Sequence, residues 1–127
     1  MTKEEIFNFI RAHPIFHLAT IDGDKPRVRS MTLFRADESG IIFHTSKKKD
    51  LTYQLAANPQ VELCFSSIQP ASDVRVSGTV EREEDMELKN QINPDEPETL
   101  AVYRLRNGIA TKWTKQTDPN TKAYIEL

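Results

Sequence analysis

The sequence predicts a mostly β protein with a few small helices, built as a closed or nearly closed antiparallel barrel. Apolar and β-branched residues occur in six or seven short segments, turn residues separate these segments, and the helical segments are few. The clearest alternation lies in 74–83, where Val74, Val76, Gly78 and Val80 share one face. A sheet of this size tends to close so that its edges are protected.

The chain is expected to open with a helix before the first strand. Thr2 and Glu5 have the spacing of a capping box, in which a hydroxyl and a carboxylate satisfy free N–H groups at a helix start. The apolar residues that follow fall on one helical face, and Pro14 ends the helix.

Tight turns separate the strand segments that follow. The first three are expected to form an antiparallel meander, in which the second and third strands are neighbours. Asn107-Gly108 predicts a hairpin near the C-terminus, because this pair is favoured where two successive residues need positive φ. Asp50 is expected to cap a short helix that Asn58-Pro59 ends. The predicted strands are 15–21, 27–35, 41–45, 61–68, 74–83, 100–106, 109–115 and 121–127.

Length, charge and cysteine content place limits on the kind of protein. The 127 residues suit one domain, 1–127. A net charge of −2 argues against a broad nucleic-acid surface. Cys64 is the single cysteine, so no internal disulfide forms. The start of the chain carries no apolar signal core, and no apolar run is long enough to span a bilayer. We therefore expect a cytoplasmic protein with no membrane and no nucleic-acid partner.

Two basic clusters are the candidates for an anion site. Arg27 and Arg29 are two apart on a predicted strand, so they project from one face about 7 Å apart and could grip a phosphate. A solvated outer face is the common alternative for such a pair.

The second cluster combines Thr45, Ser46 and three lysines, Lys47, Lys48 and Lys49, between a strand end and a helix start. Hydroxyls, loop N–H groups and a helix N-terminus favour an anion. Positive charge at that end of a helix is unfavourable unless an anion compensates it. An exposed basic loop is the alternative.

The sequence does not indicate a metal site, a catalytic nucleophile or a nucleotide-binding loop. The three histidines have no ligand spacing, so no metal site is predicted. There is no nucleophile elbow, no Walker loop and no dinucleotide-binding glycine motif.

Four segments taken in order resemble the pyridoxamine 5′-phosphate oxidase-like group, the FMN-binding split-barrel flavoproteins. Residues 16–29, Phe-His-Leu-Ala-Thr-Ile-Asp-Gly-Asp-Lys-Pro-Arg-Val-Arg, are similar to the family's opening hairpin. Residues 42–46, Ile-Phe-His-Thr-Ser, are similar to its third strand. Residues 54–63, Gln-Leu-Ala-Ala-Asn-Pro-Gln-Val-Glu-Leu, match its helix-to-strand corner, and 74–80, Val-Arg-Val-Ser-Gly-Thr-Val, a later strand.

The resemblance implies a six-stranded antiparallel split β-barrel and a homodimer with two FMN molecules at the subunit interface. It also implies polar groups at Asp73 and Arg75 that come in from a nearby strand or the partner chain. No catalytic residue is assigned, since the flavin would carry the chemistry. The cofactor-binding residues expected from the two clusters and the resemblance together are Arg27, Val28, Arg29, Ser30, Met31, Thr45, Ser46, Lys48, Lys49 and Gln54.

Two departures from the family pattern bear on function. The oxidases carry Ser-Arg-Lys shortly before the position of Gln54, whereas Asp50 and Leu51 occupy part of that place here. Their C-terminal Arg-x-His element, which holds the vitamin substrate, has no equivalent in 115–127. The resemblance is therefore to short bacterial relatives, and it implies FMN binding without pyridoxamine phosphate oxidation.

Three hypotheses about function follow. The first is an FMN-dependent oxidoreductase of unknown substrate. The second is a flavin-binding or other anion-binding stress or sensor module without turnover. The third is a split barrel that holds another cofactor, such as a deazaflavin or haem.

Overall fold

The structure, a computed structural model, describes all 127 residues. The helices are α1 (Lys3–Ala12), α2 (Asp50–Ala57) and α3 (Met86–Ile92), with a short 3₁₀ turn at Pro97–Thr99. The strands are β1 (Ile15–Asp22), β2 (Lys25–Thr32), β3 (Arg35–Asp37), β4 (Gly40–Ser46), β5 (Gln60–Ile68), β6 (Ala71–Glu83), β7 (Leu100–Leu105), β8 (Ile109–Thr114) and β9 (Ile125–Glu126).

The strands form one antiparallel sheet in the order β2-β1-β5-β6-β7-β4-β3, with β8 on β6 and β9 on β8. Strands β2 and β4 lie close together but share no hydrogen-bonded ladder. The barrel is therefore split between these two strands. The predicted class, a mostly β protein with a split antiparallel barrel, is confirmed.

The predicted meander of the first three strands is wrong beyond its first turn. Strand β1 pairs with β2 as expected, but the predicted strand 27–35 divides into β2 and β3. Between them, Leu33 donates its N–H to Pro14 and Phe34 donates to Ile42. Because β3 pairs only with β4, the chain crosses the split at this point, and β2 and β3 form the opposite edges of the sheet.

The predicted C-terminal hairpin is also wrong. Strands β7 and β8 do not pair with each other but follow one another antiparallel to β6. Leu105 lies opposite Val80 and Ile109 lies opposite Ser77, so three residues face two and form a bulge. Asn107 has a φ of 55°, whereas Gly108 is not in the left-handed region. The asparagine-glycine pair therefore bends one long strand without reversing it.

Counting β7 and β8 as one bulged strand leaves six long strands, with β3 and β9 as short additions. The predicted final strand, 121–127, is limited to β9, which pairs with β8.

The barrel interior holds a core of 20 buried apolar residues from α1, α2 and the strands. A second cluster lies on the other face of β4 and β7, where α3 covers Ile42, Leu100 and Val102. The Thr2 cap is present, since its hydroxyl accepts the N–H of Glu5 at 3.1 Å. No helix in the fold has both the length and the apolar character needed to cross a membrane.

The helix at residue 50 differs from the expectation in its cap. Asp50 is the first helical residue, and Lys49 occupies the cap position without a side-chain bond. Instead, the hydroxyl of Thr52 donates to the carbonyl of Lys49 at 2.8 Å. Asp50 therefore does not cap the helix.

Candidate functional site

A cavity of about 690 Å³ opens at the barrel split, between β2 and the start of α2. Strand β2 forms one wall with five consecutive residues, and its free edge carries backbone groups that no ladder uses. The end of β4, the following loop and α2 form the other walls. The lining residues are Asp22, Arg27, Val28, Arg29, Ser30, Met31, Thr45, Lys48, Lys49, Asp50, Leu51 and Gln54.

Nine of the ten residues predicted from the sequence line this one cavity. They come together although β2 and β4 are not paired neighbours, because the split brings both strand ends to one opening. Ser46 is the exception. It lies one residue beyond Thr45 on the alternating strand β4, and its hydroxyl accepts the N–H of Lys48 at 3.3 Å. Ser46 shapes the loop and does not reach the cavity.

Arg29 is held by a network that spans three elements. Its Nη1 donates to the hydroxyl of Thr20 at 2.7 Å and to the carbonyl of Leu18 at 3.3 Å. Its Nη2 donates to Oε1 of Gln54 at 2.5 Å, and the Thr20 hydroxyl donates to the same oxygen at 2.6 Å. Burial lowers the pKa of Arg29, and the charge of Asp50 opposes this shift. The guanidinium is thus fixed in place on the cavity wall.

Arg27 has a different environment from Arg29, although both lie on β2. Its Nε is 3.1 Å from Oδ2 of Asp22, and both side chains are about half exposed. Such an exposed pair is worth about 0–1 kcal/mol, so Arg27 can change partners at little cost. The cavity therefore has one fixed and one movable guanidinium.

The loop that contains Lys47, Lys48 and Lys49, called the lysine loop, is held by backbone hydrogen bonds, which leave the ammonium groups of its side chains free. Lys47 donates its N–H to Thr99 at 2.9 Å, and Lys49 donates to the carbonyl of Ser46 at 3.1 Å. Lys48 and Lys49 line the cavity, and neither ammonium group forms an ion pair. Lys47 does not line the cavity. Two free ammonium groups and two guanidinium groups therefore face one space.

Four residues of the site were missed in the sequence, namely Thr20, Asp22, Asp50 and Leu51. Thr20 is 2% exposed and is the one polar residue on the inward face of β1, after Phe16 and Leu18. This break in the apolar alternation was the available signal. Asp22 gave no local signal, because its role depends on Arg27 across the hairpin.

Residues 2–119 match the family model described as pyridoxamine 5′-phosphate oxidase. The chain belongs to the pyridoxamine 5′-phosphate oxidase family. A relative named pyridoxine/pyridoxamine 5′-phosphate oxidase, from Maricaulis maris, is 33% identical over 104 residues, which cover 80% of this chain and 43% of that protein. The chain matches less than half the length of such relatives.

Solved structures share this family's fold. A NimC/NimA family protein from Clostridium acetobutylicum superposes with a TM-score of 0.78 at 22% identity, covering 98% of this chain and 91% of the other. A pyridoxamine 5′-phosphate oxidase-related, FMN binding protein from Nostoc punctiforme gives 0.69 at 11% identity, covering 98% and 96%. At these identities the likeness concerns the fold alone.

Proposed function

We propose that this member of the pyridoxamine 5′-phosphate oxidase family binds FMN in the cavity at the barrel split, as a cytoplasmic homodimer, and acts as an FMN-dependent oxidoreductase. One observation carries the proposal. Arg29 on β2 and the loop residues Lys48 and Lys49 present positive charge to one ligand-sized cavity at a β-strand edge. The FMN-binding relative of the same fold supports the choice of cofactor.

The donor set at the lysine loop fits a phosphate. Arg29 offers a fixed guanidinium, Lys48 and Lys49 offer ammonium groups, and Thr45 offers a hydroxyl. The loop N–H groups of Lys47 and Lys49 are already used within the protein, so side chains would supply most of the contacts. The phosphate end of FMN is therefore proposed to lie between β2 and the loop.

The remaining walls fit the rest of the cofactor. Val28, Met31 and Leu51 are the apolar lining residues, and they suit the flat face of a flavin ring. The free edge of β2 offers backbone N–H and C=O groups to the polar edge of that ring. Gln54 bonds to Arg29 through its oxygen, so its amide nitrogen is available to the ligand.

Bound FMN would supply the hydride or electron transfer. The residues of the chain bind and orient it. The network of Thr20, Gln54 and Arg29 fixes one cation before the ligand enters, which reduces the ordering cost of binding. No carboxylate or histidine of the cavity is placed as a general acid or base, since Asp22 faces Arg27 and Asp50 acts on Arg29.

We propose the homodimer on the outer face of the sheet formed by β2, β1, β5, β6 and β8. This face exposes Ile15 and Val28 to 67% and 69%, together with Ile109 and Trp113. Asp73 and Arg75 form an ion pair on β6, with Nε of Arg75 3.5 Å from Oδ1 of Asp73, and neither of these atoms has a hydrogen bond to another group. The family resemblance implies polar groups near these positions that come from a nearby strand or from the partner chain, and this supports the choice of face.

A direct test is the visible spectrum of the purified protein, together with its thermal shift on adding FMN. We expect a yellow protein or a rise in melting temperature that saturates with FMN. A colourless protein that FMN does not stabilise would rule out the cofactor. A deazaflavin or haem spectrum would instead support another cofactor in the same fold.

Turnover needs a separate measurement, because a flavin-binding module without an enzymatic role would pass the spectral test. Anaerobic reduction by NADH or NADPH, followed by reoxidation with an added acceptor, should proceed faster in the protein than with free FMN. If bound FMN is reduced no faster than free FMN with either donor, the module without turnover is the better account.

Molar mass by light scattering tests the dimer. Ile15→Asp places a charge on the proposed interface and should give a monomer. Met86→Asp is the control, because Met86 is 50% exposed and lies on α3, which packs on β4 and β7 and not on the proposed face.

A further inference from the structure

The cavity contains two carboxylates that a phosphate site does not require. Asp22 and Asp50 line it beside Arg27, Arg29, Lys48 and Lys49, so the basic side chains outnumber the acidic ones by two. A phosphate monoester carries about −1.5 to −2 at pH 7. The charge of the cavity thus matches one phosphate monoester.

Each carboxylate acts on one arginine of β2. Asp22 is paired with Arg27 at 3.1 Å. Asp50 acts on Arg29 through its charge and lies next to the two lysines, at the first residue of α2. A second phosphate group would bring further negative charge towards these two carboxylates, and no unpaired basic side chain lining the cavity would be left to balance it.

We propose that Asp22 and Asp50 are specificity-determining residues, which limit the cavity to ligands with a single phosphate and discriminate against those with two or more. This inference rests on the anion site of the proposed function and not on the flavin. The inference explains why Asp50 lies beside the cationic side chains of the cavity, where its negative charge weakens phosphate binding.

The rival account of Asp50 is structural. An acidic residue in the first turn of a helix stabilises it through the helix dipole. That role alone would make Asp50→Asn lower the melting temperature without changing the preference between ligands. The ratio of two dissociation constants, measured on the same variant, separates the two accounts because a general loss of stability affects both equally.

The experiment compares inorganic phosphate with pyrophosphate, each titrated by thermal shift and by competition with FMN at constant ionic strength. The variants are Asp50→Asn alone and Asp22→Asn with Asp50→Asn. The control is Asp24→Asn with Asp95→Asn, which removes two exposed carboxylates that do not line the cavity. All variants are checked for cooperative unfolding, and the single variant is informative even if the double one folds poorly.

We expect the double variant to shift its preference towards pyrophosphate by about tenfold, since each removed carboxylate takes away a repulsion of the size of an exposed charge pair. The single variant should shift by a smaller factor, and the control should match the native chain. An unchanged preference, an equal shift in the control, or no binding of either anion would overturn the inference. If the preference shifts as expected but FMN does not bind, the flavin proposal fails and the charge selection stands.

Discussion

Nη2 of Arg29 donates to Oε1 of Gln54 at 2.5 Å and so joins strand β2 to helix α2 at the open side of the barrel. The two residues are 25 positions apart in the sequence, and no local pattern couples them. The hydroxyl of Thr20 completes the link from β1. The anion site is therefore built on three elements that the fold holds in fixed relation.

Thr20→Val should lower both stability and FMN affinity. Valine keeps the shape but removes the hydroxyl that accepts from Arg29 and donates to Gln54. Loss of a buried bond to a charged group costs about 1–3 kcal/mol. Urea unfolding and FMN titration measure the two effects. Thr20→Ser keeps the hydroxyl and should retain most of both; equal behaviour of the two variants would contradict the role of the network.

Arg29→Ala with Lys49→Ala should weaken FMN binding by about 100-fold, because two charge-assisted bonds of about 1.5 kcal/mol each are lost. Riboflavin, which lacks the phosphate, should lose much less affinity, and fluorescence titration measures both ligands. Lys47→Ala is the matched control, since Lys47 lies in the same loop but does not line the cavity. Unchanged FMN affinity in the double variant would remove these residues from the phosphate site.

Gly108→Ala should destabilise the bulge between β7 and β8. A Cβ there would lie 2.6 Å from Leu105 Cδ2 and 2.7 Å from Val76 Cγ1. Overpacking of this kind costs about 1–3 kcal/mol. Gly78→Ala is the control, because its Cβ would meet its nearest neighbour at 3.5 Å. Chemical denaturation of both variants checks this, and a tolerated Gly108→Ala would mean that the bulge adjusts easily.

The fold should become less stable as the pH falls from about 7 to 5, because protonation of the half-buried His44 is less favourable in the folded chain than in the unfolded chain. Burial lowers the pKa of His44 below its ordinary value of 6.5, so the unfolded chain takes up a proton before the folded chain does. The stabilisation is present above pH 6.5 and is lost as the pH falls through the lowered folded value. Asp37 and Glu84 do not contribute in this range, since their pKa values are held below 3.8 and 4.5 by bonds to Ser39 and Lys89.

Melting temperatures at pH 7 and pH 5 measure this dependence. His44→Gln removes the titrating group and should lose less stability between the two conditions than the native chain does. Identical pH profiles for the native chain and His44→Gln would contradict the prediction.

The elements of this fold follow from local patterns. Alternation in the β6 segment, the Thr2 cap of α1 and the Asp-Gly turn between β1 and β2 each depend on residues close in sequence. The two basic clusters were also visible, because charge and hydroxyl groups concentrate in short stretches. These local features, with the ordered resemblance, are sufficient to predict a mostly β split barrel.

Pairing between distant segments was decided by the tertiary structure. The asparagine-glycine pair at 107–108 is favoured in hairpins, yet both flanking strands pair with β6, and Leu105 and Ala110 join the barrel core there. The same holds for β3. The chain crosses the split after β2, and β3 then pairs with β4 on the other side.

The residues of the cavity show the same division, because some could be predicted from the sequence and others were revealed only by the fold. The sequence by itself determined which residues can bind an anion, since the chemistry of Arg29, Lys48 and Lys49 is a property of the side chains. Only the tertiary structure decided that Ser46 points away and that Asp22 and Asp50 face the same space. The physical reason is that charge acts through space: the effect of a carboxylate depends on its distance from the cations, and the folded chain sets that distance.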